Sequence, residues 1–277
     1  SERYMRRHLE GSLAEALADT PVVCILGPRQ CGKSTLAIHA APNRAYVSLD
    51  DPNSYELART DPKGFIGELP EYVTIDEVQR VPELTLAIKQ SVDVNRKPGR
   101  FLLTGSADLL QLPRLSDSLA GRMEWIELEP FSEAEKEGSE GLFLEQWLEG
   151  KLNTGILETV PHRASTLPGR VIAGGYPEAF RRKPVRARQW QEQYIRSIIE
   201  RDIHDISQVK DGDEVGRFLE YMSHQTAQLL NITETAKALG HTRATAEKYL
   251  SILEKLYLLR RLPAWHRNVQ KRLVKSP

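Results

Sequence analysis

Cysteine is scarce in this sequence, whose 277 residues include only Cys24 and Cys31. Two cysteines cannot build a disulfide framework, so the class of small disulfide-stabilised extracellular domains is excluded. Long apolar runs are also missing, since no stretch approaches the roughly 20 residues that a membrane-spanning helix needs. The opening segment SERYMRRHLEG has no apolar core of the kind found in signal peptides. We therefore expect a cytoplasmic protein that does not contact membranes.

Net charge is absent as well, because 38 Lys and Arg residues balance 38 Asp and Glu residues. This balance argues against a protein that binds polyanions over its whole surface. The charges are nevertheless unevenly distributed. Residues 124–149 contain nine acidic residues and one basic residue, whereas residues 242–277 contain nine Lys or Arg residues and two Glu residues. The basic C-terminal segment is therefore the candidate anion-binding region.

The run GPRQCGKS, from Gly27 to Ser34, matches the phosphate-binding loop pattern G-x-x-x-x-G-K-[ST]. It follows an apolar run typical of a buried strand and precedes a stretch compatible with a helix, which is the context that this motif requires. Glycine lets the backbone turn tightly, so that several N–H groups and the helix N-terminus can face one polyphosphate. Lys33 is expected to reach the β- and γ-phosphates of ATP, and Ser34 to bind Mg²⁺. The predicted nucleotide-binding residues are Gly27, Pro28, Arg29, Gln30, Cys31, Gly32, Lys33, Ser34 and Thr35.

A second apolar run, YVTIDE, ends in two acids, Asp76 and Glu77. In parallel α/β sheets, ligands bind at the carboxyl edge, where these acids would emerge. Asp76 is predicted to hold Mg²⁺ together with Ser34, and Glu77 to orient or deprotonate the attacking water. Without the loop upstream, a solvated turn would explain the same pair of acids equally well.

Five other polar residues are candidates for the same site. Ser106 follows the apolar run RFLLT and is our choice for a contact to the γ-phosphate or the attacking water, with Thr104 as the alternative. A helix N-cap is the other role that suits Ser106. Arg122 precedes the last predicted strand; we expect it either to stabilise the transferred phosphoryl group, in its own or a neighbouring subunit, or to be a surface arginine. For Asp50 and Asp51, which end another apolar run, a turn role is favoured over a site role.

Strand-like and helix-like segments alternate over the first 130 residues, which predicts a parallel sheet with helices on both faces. After Pro130 an acidic amphipathic helix is predicted over 131–147, the sequence GGYP at 174–177 should interrupt any helix, and a long helix is predicted over 186–205. We therefore divide the chain into a P-loop core (1–130), a helical region with GGYP (131–210) and a C-terminal domain (211–277). The predicted strands are 22–26, 45–49, 72–75, 100–104 and 124–128.

Residues 232–265 are typical of a helix–turn–helix followed by a wing. Helices are predicted over 233–239 and 242–256 with Gly240 at the turn, and an extended segment over 257–264. In DNA-binding proteins of this kind the second helix enters the major groove. A packing or regulatory module is the alternative role. The candidate DNA-binding residues are Arg243, Thr245, Lys248, Arg260 and Arg261.

Together these motifs resemble the prokaryotic P-loop ATPases of the AAA+/STAND type. The matching segments are GPRQCGKST, YVTIDEVQRVPEL, FLLTGSADLL, SLAGRMEWIELEPFSEAE, GGYPEAF and YIRSIIERDI. The resemblance implies an α/β P-loop sheet of order 5-1-4-3-2, followed by a helical region and a winged-helix domain, with homo-oligomers as a possible assembly. Similar proteins commonly continue into a nuclease-like region beyond the position where this sequence ends, Pro277; either the sequence is part of a longer chain or the protein departs from that pattern. We therefore predict no nuclease activity for these residues.

The first hypothesis for function is a Mg²⁺-dependent ATPase whose nucleotide state repositions the helical and winged-helix domains, with duplex DNA as a candidate partner of the winged helix. The alternative is a nucleotide-gated DNA-binding switch, or a regulatory scaffold, with negligible turnover. The predicted catalytic residues are Lys33, Glu77, Ser106 and Arg122, and the predicted metal ligands are Ser34 and Asp76.

Overall fold

The computed structural model describes residues 4–105, 119–151, 167–206 and 212–263, and for 201–206 the backbone alone. The chain forms two compact units, Ser1–Trp190 and Gln191–Pro277. The division falls inside the predicted middle region rather than at residue 130 or 210. Each unit is described separately below.

The first unit contains a five-stranded parallel sheet of order β2-β3-β4-β1-β5. This is the predicted order, counted from the other edge, so the predicted fold class is confirmed for this unit. Sequence neighbours β1 and β2 lie three positions apart, because the chain crosses over a face of the sheet between them. The strands are β1 (Val22–Leu26), β2 (Ala45–Ser48), β3 (Val73–Asp76), β4 (Phe101–Gly105) and β5 (Met123–Glu127).

Helices cover both faces of the sheet. Before and between the strands lie α1 (Glu10–Asp19), α2 (Lys33–Ala40), α3 (Pro52–Thr60), α4 (Pro62–Glu68) and α5 (Leu84–Val94), with a short 3₁₀ helix at Val78–Arg80. After β5 come α6 (Glu133–Glu137), α7 (Phe143–Leu148), α8 (Leu167–Ala173), α9 (Pro177–Phe180) and α10, which spans Pro184–Ile206.

The central strand β1 shows why the sheet is buried on both faces. Its residues alternate between two apolar layers: Val22, Cys24 and Leu26 pack with α3, α4 and α5, whereas Val23 and Ile25 pack with α1 and α2. All five side chains are fully buried, and each contributes on the order of 1.5–3 kcal/mol of transfer free energy. This core fixes the carboxyl end of β1, from which the phosphate-binding loop leaves.

The segment after β5 differs from its prediction as a single helix. It forms two short helices, α6 and α7, because Gly138 adopts φ 68° and ends α6. The predicted break at GGYP is present between α8 and α9. There the N–H of Phe131 donates to the carbonyl oxygen of Gly175 at 2.7 Å, and a Cβ at position 175 would collide with the backbone of Phe131. Glycine is required at this close approach between two backbones.

The second unit is helical in its described part, with α11 (Gly212–His224), α12 (Ile232–Ala238) and α13 (Arg243–Lys255) after the end of α10. Residues 239–242 join α12 to α13 through Gly240 at φ 72°, and Thr242 caps α13. The predicted helix–turn–helix is therefore present as local structure. No strand occurs among residues 257–263, where the wing is predicted to begin, and residues 264–277 lie outside the described part of the chain.

Candidate nucleotide-binding site

The phosphate-binding loop runs from the end of β1 to the first turn of α2. Gly27 has φ 155° and Gly32 has φ 103°, and Gln30 between them is left-handed at φ 60°. A Cβ on Gly27 would also collide with the carbonyl oxygen of Leu128, just after β5. The loop can therefore take this path only with glycine at its two motif positions.

Lys33 opens α2, and its side chain is only 5% exposed. Its ammonium group donates to the carbonyl oxygens of Gly27 at 3.2 Å and of Pro28 at 2.9 Å. A buried cation held against the backbone of the loop is suited to meet a phosphate there.

Cys31 is fully buried, and its thiol donates to the carbonyl oxygen of Leu128 at 3.3 Å. Burial raises the pKa of Cys31, although the positive charges of Lys33 and Arg7 lower it. The thiol is therefore protonated at neutral pH and serves to pack the loop against β5.

Asp76, the last residue of β3, accepts hydrogen bonds from three hydroxyl groups. Ser34 Oγ donates to its two carboxylate oxygens at 2.9 and 3.1 Å, and Tyr46 from β2 donates to Oδ2 at 2.7 Å. Thr104, fully buried on β4, donates to Oδ1. The carboxylate is only 5% exposed, and these donors from three elements hold it beside the loop.

Glu77 follows directly and is left-handed, with φ 57° and ψ 43°. Its N–H donates to Thr104 Oγ1 at 3.2 Å, and its carboxylate accepts from the Gln79 amide. Thr104 therefore bonds to the carboxylate of Asp76 and to the backbone N–H of Glu77. Asp76 lies against Ser34, and Glu77 lines the adjoining cleft.

A cleft of about 660 Å³ opens beside the loop. Gln30, Lys33, Ser34 and Glu77 line it near the sheet, and Tyr4 stacks on His39 at another part of its wall, with ring centroids 4.0 Å apart. The lining also includes Pro177 of GGYP and, after it in the chain, Glu178, Arg181, Arg182 and Trp190. The cleft has the size and the polar groups to hold a nucleotide.

Residues 19–136 match the family model described as an AAA domain. This segment, which is similar to an AAA domain, contains the phosphate-binding loop, Asp76 and Glu77. Residues 165–277 match a second model, described as a domain of unknown function. Uncharacterized proteins of Mycobacterium bovis and Mycobacterium tuberculosis are each 30% identical over 275 residues, which cover 98% of this chain and 56% of theirs. The chain thus spans about half the length of these curated relatives.

Two solved structures resemble the chain more distantly. The Walker-type ATPase of Pyrococcus abyssi is 15% identical, with 92% of this chain and 91% of that chain covered and a TM-score of 0.45. RuvB of Thermotoga maritima is 18% identical, with 96% and 94% covered and a TM-score of 0.35.

The oxygen atoms of Ser34 and Asp76 are the metal-ligand candidates that the fold brings together, and Mg²⁺ prefers oxygen ligands. No group of three His, Cys, Asp or Glu side chains able to hold a metal occurs in the described residues. A Mg²⁺ ion here would therefore take its other ligands from phosphate and water, as it commonly does. The donor set fits such an ion.

Arg122 does not lie near the phosphate-binding loop, and the expectation that it reaches the phosphates of its own subunit is wrong. It precedes β5 at the amino edge of the sheet, where its carbonyl oxygen accepts from Val22, the first residue of β1. Its side chain pairs with Asp93 at 2.6 Å. The loop leaves the opposite edge, about 13–17 Å away along a five-residue strand. A role toward a neighbouring subunit stays a prediction.

The sequence also makes several other residues candidates for the nucleotide site. Ser106 lies outside the described residues, and Thr104 faces Asp76. Asp51 caps α3 through Ser54, and Asp50 binds Arg80 at 2.6 Å. Arg29 is exposed and does not line the cleft, unlike Thr35.

Sequence reasoning missed Tyr46, Arg7 and Glu135. Burial and the hydrogen bond to Asp76 raise the pKa of Tyr46, which keeps its hydroxyl protonated as a donor. Arg7 and Glu135 form a buried ion pair at 3.0 Å, although they are 128 positions apart in the sequence. No local pattern marks such a pair.

Of the candidate DNA-binding residues, Arg243 and Lys248 are exposed on α13, and Thr245 binds the capping Thr242. Arg260 is also exposed. Arg261 is held by both carboxylate oxygens of Glu254 at 2.7 and 2.6 Å, which makes it the least suited of the five to bind phosphate. In the described residues, no helix is both long and apolar enough to cross a bilayer.

Proposed function

We propose that this chain binds ATP with Mg²⁺ and hydrolyses it. The observation that carries the proposal is the contact between Ser34 and Asp76 at 2.9 Å, beside a loop whose glycines, buried lysine and helix N-terminus suit a polyphosphate. Bound Mg²⁺ would supply charge neutralisation between the β- and γ-phosphates. The family match of residues 19–136 supports the same chemistry.

The roles of the side chains follow from their places. Lys33 and the N–H groups of the loop bind the phosphates and stabilise negative charge as the γ-phosphoryl group leaves. Ser34 and Asp76 hold the ion. Glu77, which lines the cleft next to Asp76, orients the attacking water and accepts its proton.

Hydrolysis would be coupled to movement of the C-terminal unit. Arg181 and Arg182 line the cleft and directly follow the motif GGYPEAF in the chain. Upstream, Lys136 donates to the carbonyl oxygen of Gly174 at 3.0 Å. A bound nucleotide would therefore touch the segment that leads into α10, the helix that continues into the second unit.

The test is calorimetry with MgATP on the wild type, on Lys33→Ala and on a control, Lys63→Ala, which removes an exposed lysine of α4. The wild type and the control should bind alike, and Lys33→Ala should bind at least about 100-fold more weakly, because it loses a desolvated charge on the phosphates. A well-folded wild type that gives no heat with MgATP would overturn the proposal, as would equal binding by Lys33→Ala.

A second candidate is a nucleotide-gated switch that binds duplex DNA with negligible turnover. It is favoured by the helix–turn–helix, in which Arg243 and Lys248 are exposed on the second helix. A regulatory scaffold would use the same helices without DNA. Turnover with and without duplex DNA separates the ATPase from the switch.

A further inference from the structure

Arg7 lies 20 residues before the loop motif, yet it is 4% exposed and contacts the loop directly. Its guanidinium donates to the carbonyl oxygen of Cys31 at 3.0 Å, to that of Glu129 at 2.5 Å, and to the carboxylate of Glu135 at 3.0 Å. The ring of Phe131 packs against it, with 4.6 Å between the guanidinium carbon and the ring centroid. These contacts fix the guanidinium in one place.

The contact with Cys31 sets the orientation of a peptide group in the loop. The carbonyl of Cys31 and the N–H of Gly32 belong to one peptide, and in a trans peptide they point in opposite directions. Because the carbonyl points to Arg7, the N–H points away from it. Gly32 is the N-cap of α2, so this N–H is one of the helix N-terminal amides that are free to bind phosphate.

Without Arg7, nothing in the chemistry of Gly32 would favour this orientation strongly. Gly32 has φ 103°, and glycine adopts positive and negative φ about equally well. The peptide between residues 31 and 32 could therefore rotate and present its carbonyl oxygen to the phosphates, which repel it. A charged hydrogen bond from a buried guanidinium opposes that rotation.

Glu135 keeps Arg7 in place. Its carboxylate accepts from Arg7 Nε and also from the N–H groups of His8 at 2.8 Å and Ser132 at 2.9 Å. The pair therefore ties the N-terminal segment to the start of α6.

We propose that Arg7 is a positioning residue for the phosphate-binding loop, which it prepares for a triphosphate by holding the peptide between Cys31 and Gly32. The inference rests on the proposed function, since it assumes that the loop binds phosphate. Arg7 itself need not touch the ligand.

The test compares the wild type, Glu135→Gln and the double variant Arg7→Met with Glu135→Gln. Methionine keeps an apolar contact with Phe131, and the paired glutamine avoids a buried carboxylate without a cation. Calorimetry with Mg²⁺ and inorganic tripolyphosphate measures the loop without a contribution from base or sugar. The amide resonance of Gly32 in the ligand-free protein gives a second readout, and melting curves establish that each variant is folded.

The double variant should bind tripolyphosphate at least about tenfold more weakly, as expected for the loss of a charged hydrogen bond, and its Gly32 resonance should move. Glu135→Gln, which retains Arg7 and its bonds to the carbonyl oxygens of Cys31 and Glu129, should lose less affinity than the double variant, so that the difference between the two variants measures Arg7 alone. Wild-type affinity and an unmoved Gly32 resonance in the double variant would overturn the inference. If the wild type itself binds no phosphate compound, the proposed function fails, while the Gly32 resonance still decides the role of Arg7.

Should the double variant fail to fold, Arg7→Lys takes its place. Lysine keeps the charge beside Glu135 but replaces the planar guanidinium by a single ammonium group. It therefore cannot bind the carbonyl oxygens of Cys31 and Glu129 in the same geometry. A loss of at least about threefold in affinity with a moved Gly32 resonance supports the inference. Wild-type behaviour in both measurements contradicts it.

Discussion

At the scale of the residue, Glu77 has the most demanding position in the site. It is left-handed, which disfavours any residue with a Cβ, and its N–H and carboxylate are held by Thr104 and Gln79. These bonds direct the carboxylate into the cleft beside Asp76. A left-handed backbone conformation of this kind persists at functional sites because the surrounding structure holds it in place.

The first residue-scale prediction is that Glu77→Gln binds MgATP but hydrolyses it about 10²–10³-fold more slowly, because the amide cannot accept the proton of the attacking water. Phosphate release measures turnover, and calorimetry measures binding. The control is Glu83→Gln, an exposed residue before α5. Unchanged turnover in Glu77→Gln would refute the assigned role.

At the scale of the element, the pair between Arg7 and Glu135 fastens the segment before α1 to α6. Burial alone would raise the pKa of Glu135. The N–H groups of His8 and Ser132, together with Arg7, outweigh that effect and hold the pKa below its ordinary value of 4.5. A carboxylate with a lowered folded pKa stabilises the protein above its unfolded pKa and loses that contribution as pH falls through the folded value.

We therefore expect Glu135→Gln to lower the free energy of unfolding by about 3 kcal/mol at neutral pH, because it breaks a buried ion pair. The difference from the wild type should stay constant down to about pH 4.5 and shrink below it. Urea unfolding between pH 7 and pH 3 measures this. A difference that does not change with pH would show that the charge of Glu135 contributes nothing.

Strands and helices differ in how well the sequence predicts them. All five strands lie within one residue of their predicted positions, because each is a short apolar run bounded by turn residues. Helices α3 and α4 were missed, since they are short and begin at proline after Asp51 and Asp61, which also suit a turn. Gly138 was a visible break in the helix predicted over 131–147.

The site was predictable only where it lies in local motifs. Gly27 to Ser34 and the pair Asp76–Glu77 could be found because their chemistry needs fixed spacing. The predicted site role of Arg122 in its own subunit was wrong because Arg122 precedes a strand, whereas ligands of a parallel sheet bind where the strands end. Arg7 could not be found at all, since its partners depend on how distant segments pack.

At the scale of the whole molecule, the segment that matches the AAA model lies in the first compact unit, and helices α12 and α13 lie in the second. The basic candidates Arg243 and Lys248 belong to the second unit. Arg243 is 3.9 Å from Glu247, and both are exposed, so this weak pair can be exchanged for a phosphate at little cost.

If the second unit binds duplex DNA, the double variant Arg243→Ala with Lys248→Ala should bind more weakly and with a salt slope smaller by about two, because two phosphate contacts are lost. Gel shifts at several salt concentrations measure the slope. The control variant, Arg6→Ala with Lys63→Ala, removes two exposed cations of the first unit. An unchanged slope would exclude these residues as phosphate ligands, and a wild type without DNA binding would favour the scaffold.

The rates at which the two buried thiols react with an alkylating reagent report on opening of the native structure. Cys24 and Cys31 are both fully buried, and burial raises the pKa of Cys24 to about 12. Alkylating reagents attack thiolates, so neither position can react while the native structure is intact. Cys31 becomes reachable when the loop alone opens, whereas Cys24, in the middle of β1, requires the sheet to come apart. The ratio of the alkylation rates of Cys31 and Cys24 therefore distinguishes local opening of the candidate nucleotide-binding site from global unfolding, and no cysteine has to be introduced.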